Sequence, residues 1–121
     1  MTFPETLREL ARLRPKMFSI VFDGAGNEWF WGYERVLIWK ATQDDIDNIF
    51  FALDRRVLLR ESVTVTGSPF NERRVVRLVA TIFDKDWNHL IAVETNETEK
   101  NPAMQKALTA VVEENKKGEK G

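Results

Sequence analysis

The chain of 121 residues has one histidine and no cysteine. That inventory excludes disulfides, thiolate nucleophiles and cysteine-ligated metals, and it leaves His89 as the sole imidazole base. Ser19, Ser62 and Ser68 have no nucleophile-elbow sequence around them and no base other than His89. Asp44, Asp45 and Asp47 cluster, but they fall in the first turn of a helix, where carboxylates meet the positive end of the dipole. Asp23-Gly-Ala-Gly-Asn-Glu has the outline of a calcium loop. Ala25 stands where that loop needs an oxygen, and Glu28 where it needs a glycine. Gly24-x-Gly26 lacks the third glycine of a dinucleotide fingerprint and leads into a strand rather than a helix. These residues point to a protein without catalytic machinery, metal or cofactor.

Eighteen basic residues nearly cancel nineteen acidic ones, for a formal charge of −1. Arg55, Arg56, Arg60, Arg73 and Arg74 are spaced to make a basic patch, and aromatics suitable for base stacking are plentiful. The overall balance argues against nucleic acid as a partner, because bulk electrostatics supply most of its binding. The aromatics crowd into Phe18–Trp39. In Trp29-Phe-Trp-Gly-Tyr, strand alternation sends Trp29, Trp31 and Tyr33 to one face and Phe30 to the other. That face either fills the gap between sheet and helices or forms a partner or ligand surface.

Hydropathy patterning supplies the elements that position these residues. Thr2 and Glu5 have capping-box spacing ahead of a helix to about Arg14. Met17–Asp23 reads as a central strand with both faces covered, and Gly24–Asn27 as the turn to a second strand. That second strand bends onward through Val36–Trp39, with Gly32 marking a bulge or a close backbone approach. Thr42 opens a second helix, on which Phe51 lies opposite the apolar stripe, beside Asp47. Three strands follow, at Val57–Thr66, Arg74–Phe83 and Leu90–Thr95. Asn101-Pro102 starts a third helix that ends at Gly118. The expectation is one α+β domain over residues 1–117 with a disordered tail at 118–121. A single five-stranded antiparallel sheet would be covered by the helices. No segment has the length or apolarity of a bilayer span or a secretory signal, which places the chain in the cytoplasm.

Thr6-Leu-Arg-Glu-Leu-Ala-Arg-Leu, then Phe18-Ser-Ile-Val-Phe-Asp and Gly26-Asn, within the order helix, two strands, helix, three strands, helix, resembles the Roadblock/LC7 domain family, a relative of longin and profilin-like folds. The resemblance implies a non-enzymatic adaptor or scaffold that pairs with itself or a related domain and acts beside a small Ras-like GTPase. It further implies a dimer seam along the third strand, with Ser62, Thr64 and Thr66, and the helix face carrying Asp47 and Phe51. Independently of any family, a Thr/Val strand edge without proline or lysine is poorly protected against pairing. The alternative is a sequestering α+β protein, such as a phage or defence-related inhibitor, that holds a small nucleotide-like ligand against Trp29, Trp31 and Tyr33.

Overall fold

The computed structural model describes residues 1–32 and 34–120, with side chains described to residue 116; Tyr33 and Gly121 lie outside the described residues. Helix α1 (Phe3–Leu13) begins on a complete capping box between Thr2 and Glu5. Strands β1 (Ser19–Phe22), β2 (Glu28–Trp31) and β3 (Arg35–Leu37) follow. Helix α2 (Gln43–Ala52) begins on a second capping box, Thr42 with Asp45. Strands β4 (Arg55–Thr66), β5 (Arg73–Asp84) and β6 (His89–Glu97) lead into helix α3 (Lys100–Lys120), which runs past Gly118.

The strands form two antiparallel sheets, β1-β2-β3 and β4-β5-β6, and not the single five-stranded sheet expected. The reason lies just after β2. Gly32 donates to the Glu34 carbonyl (3.2 Å), and the chain reverses there instead of bending onward. Arg35–Leu37 then returns along β2, with Trp29 opposite Leu37 and Trp31 opposite Arg35. With β1 on its other side, β2 has both edges occupied. Strand β1 is therefore an edge strand of four residues, three of them exposed, rather than the covered central strand its hydropathy suggests. Gly32 is also a close approach: a Cβ there would lie 2.7 Å from the Phe18 ring.

Helix α3 is the hub of the packing, touching α1, α2, β5 and β6. Its Ala103, Met104, Ala107, Leu108, Val111 and Val112 are all buried. All but Ala103 meet Leu7 and Leu10 of α1, Ile46, Ile49 and Phe50 of α2, and Ala80 and Ile82 of β5 in one apolar cluster. Phe18 and Phe30 (stacked, 5.1 Å between centroids) bring the first sheet into that cluster. Two polar links tie the layers. Thr6 and Thr109 share a hydroxyl hydrogen bond of 2.8 Å between α1 and α3. Arg8 donates twice, at 2.7 Å each, to the Glu28 carboxylate at the start of β2.

The helices cover only the near half of the second sheet. In β4–β5, Val57, Leu59, Ala80 and Ile82 face the helices. The same face continues through Val63 and Val65, which are 54% and 53% exposed. Beyond Arg60 every residue of β4 is exposed, so the far end of the hairpin projects as a two-stranded arm.

Candidate functional site

Two exposed regions carry the interface and ligand-surface residues expected from sequence, and a third combines two turns with an aromatic cluster around His89. The first is the outer face of β1-β2-β3. Alternation puts Phe30 inward, where it is buried, and Trp29 and Trp31 outward with Val21 and Arg35. These tryptophans therefore do not fill the gap between sheet and helices. Arg35, paired with Trp31 across the strands, lays its guanidinium 4.5 Å from the Trp29 ring centroid and 5.9 Å from that of Trp31. A flat ligand stacking on Trp29 would have to displace that cation, which is held by the ring quadrupole. Tyr33, expected on the same face, lies outside the described residues. Sequence reasoning missed Arg35; its signal was the cross-strand register, which a linear pattern does not show.

The second region is the β4 edge with α2. Ser62, Thr64 and Thr66 share the outer face of β4, opposite Arg77, Val75 and Arg73. Strand β4 runs for 12 residues, and it pairs on one side only among the described residues. Phe51 is 68% exposed on α2, beside this strand, with the Arg56 guanidinium 4.7 Å from its ring centroid. A surface depression bounded by Asn48, Phe51, Ala52 and Asp54 lies at the same place. Asp47 is exposed one turn earlier; partial burial and the neighbouring Asp44 charge hold its pKa above the ordinary aspartate value. Asp47 and Phe51 thus lie beside the near end of β4, by Leu58 and Arg56, whereas Ser62, Thr64 and Thr66 lie on the outer face of its far, exposed half, and Trp29 and Trp31 belong to a different sheet.

In the third region the turn positions are legible in sequence, and what was missed is their common construction. The turns Asp23–Asn27 and Asp84–Asn88 are built alike. Each aspartate accepts backbone N–H bonds from the second and fourth residues after it, all at 2.9 Å. Each also accepts the side-chain amide of the closing asparagine. In both, the third residue after the aspartate has a positive φ: 83° at Gly26 and 64° at Trp87. Glycine takes that conformation freely, and a bulky aromatic does so against a steric penalty. Trp87 is 54% exposed and rests on Phe83 (5.5 Å), which meets His89 edge-on (6.0 Å). The signal was available in sequence as Asp-x-x-x-Asn twice, with tryptophan in the glycine slot.

The turn carboxylates have a measurable signature. Hydrogen bonds from the Trp29 indole and the Asn27 backbone lower the Asp23 pKa to about 2. The backbone and side chain of Asn88 lower that of Asp84, and Arg8 lowers that of Glu28. Each folded-state pKa lies below its unfolded value, so the stabilisation is complete above the ordinary carboxylate range and lost as pH falls toward the folded values. The thermal midpoint is expected to hold level from pH 7 to 5 and to drop between about pH 4 and pH 2. An Asp23→Asn variant should show a shallower drop in the same circular dichroism melts; an identical profile would exclude Asp23 as a contributor.

Among the described residues no three His, Cys, Asp or Glu side chains converge as a metal site, and no helix is long and apolar enough to cross a membrane. Comparison of the chain with protein-family models, curated proteins and solved structures finds no match, and none of the three supports the Roadblock/LC7 resemblance.

Proposed function

We propose that this chain is a non-catalytic association module that joins a second copy of itself along β4, flanked by α2. The observation that carries this reading is the free 12-residue β4 edge, whose helix-side face runs on as uncovered Val63 and Val65. A long edge strand without proline or lysine is a template for strand addition. Two copies related by a two-fold axis normal to the sheet keep their helices on one side only if a β4 residue pairs with itself. Centring on Arg60 or Glu61 sets like charges opposite one another, which is destabilising. Centring on Ser62 sets Arg60 opposite Thr64 and Leu59 opposite Val65. The second copy's α2, with exposed Phe51, then lies near the uncovered Val63 and Val65.

The chain has no cysteine of its own, so Ser62→Cys gives a clean test. Residues directly opposite in an antiparallel pair have Cα atoms about 4.5–5.5 Å apart, within disulfide reach. Mild oxidation is expected to convert most of this variant to a covalent dimer, while Arg73→Cys stays monomeric. Light scattering on the unmodified chain should give twice 14.1 kDa at micromolar concentration. A monomer at every concentration, or indiscriminate cross-linking of both variants, would refute the reading.

A further inference from the structure

The outer face of β4-β5-β6, away from the helices, joins the Asp84–Asn88 turn to the outer residues of β4 and β5. The near-neutral charge of the chain conceals a segregation. Residues 55–84 carry six arginines against three carboxylates, and the remainder is correspondingly acidic. Register places Arg60 opposite Val79, Ser62 opposite Arg77 and Thr66 opposite Arg73, all on the outer face. Glu94, opposite Val79, is the one carboxylate on the strands of this face among the described residues. Arg77 spends one donor on the Asn96 carbonyl (3.3 Å), and neither Arg60 nor Arg73 has a carboxylate partner among the described residues. Ser62, Thr64 and Arg77 border a shallow depression of about 200 Å³. At the other end of the same face stands the Phe83–Trp87–His89 cluster.

We infer that this face binds single-stranded nucleic acid. The bases would stack on Trp87, and the phosphates would follow Arg60, Arg77 and Arg73 along the hairpin arm. Three observations converge. An uncovered antiparallel sheet face combines an exposed ring with guanidinium and hydroxyl donors, the pairing that single strands require. The eleven residues of β5 from Arg73 to Phe83, ten steps apart, span about 34 Å, which suits a site of several nucleotides. The third observation decides for stacking over a bare charge patch. Trp87 holds a backbone conformation that its counterpart turn assigns to glycine, so its ring is displayed against the local conformational preference. Duplexes and acidic polymers offer charge without an open base, and so would not use that ring. The site does not depend on self-association, because β4 edge pairing leaves this face open.

Anisotropy of a labelled oligothymidylate of about 12 nucleotides tests this. Expected are saturable binding at low salt, quenching of tryptophan emission, and a log–log salt slope near −2, about 0.7 for each of three arginines. Trp87→Gly is expected to raise the thermal midpoint, because it relieves the positive φ, and yet to weaken oligonucleotide binding about tenfold. A purely structural tryptophan would not produce that opposition of signs. The triple variant Arg60→Gln, Arg73→Gln, Arg77→Gln, on exposed positions, should abolish binding, and Glu94→Gln should strengthen it a few-fold. The inference is overturned by absence of binding at low salt, by unchanged affinity in Trp87→Gly, or by equal affinity for heparin or a duplex of the same length without quenching.

Discussion

Replacing Phe30 by alanine is expected to cost about 4 kcal/mol, in the range for a buried phenylalanine. Phe30 is 1% exposed, stacks on Phe18 and belongs to the cluster that α3 closes. Its removal empties the contact through which the first sheet meets the helices. A domain of this size is stable by about 6–18 kcal/mol, so the loss consumes a large share of the total. The thermal midpoint should fall by about 10–20 °C. Trp31→Ala, one residue on and 43% exposed, is the control and should cost under about 1 kcal/mol. Near-UV circular dichroism melts of the two variants decide between the two orientations of β2. Equal losses, or a larger loss from Trp31, would mean that the strand faces the other way.

The second large effect is expected at Glu28. Its carboxylate is 9% exposed and receives both Arg8 donors, whereas Arg8 itself is 43% exposed and lies 5.9 Å from the Trp39 ring centroid. Glu28→Ala leaves the guanidinium able to rehydrate, so the cost should be about 2 kcal/mol, below the 3–5 kcal/mol of a fully buried pair. Arg8→Ala strands a nearly buried carboxylate and should cost at least as much. Urea unfolding of both single variants and the double variant gives the coupling, expected at about 1.5 kcal/mol. Additive losses would show that the pair does not lock α1 to β2.

The helices were readable because their signals are local. Thr2 with Glu5 and Thr42 with Asp45 are capping boxes in sequence and in structure, and Phe51 projects from the polar face of α2 as the 100° periodicity requires. The sheet arrangement was not readable, because it turns on whether the chain reverses after β2 or merely bends there. That choice is made by pairing with β2, a non-local event. Apolar alternation in β4 also misled. Val57 and Leu59 face the helices, while Val63 and Val65 repeat the pattern on a stretch of sheet where they stay exposed. Net charge hid the arginine face for a related reason. Summation discards position, and register on β4 and β5 gathers Arg60, Arg73 and Arg77 on one surface.

The central place of α3 bears on how the chain acquires its structure during synthesis. Leu7 and Leu10 of α1, Ile46 and Ile49 of α2, and Ala80 and Ile82 of β5 all find their cover on a helix made after every one of them. The Thr6–Thr109 bond spans 103 positions. Until Lys100–Val112 has left the ribosome, the earlier elements can form only locally, as capped helical turns and as the closely paired β4–β5 hairpin. Their apolar faces stay exposed over that interval, and cooperative closure follows the last helix rather than proceeding from the first.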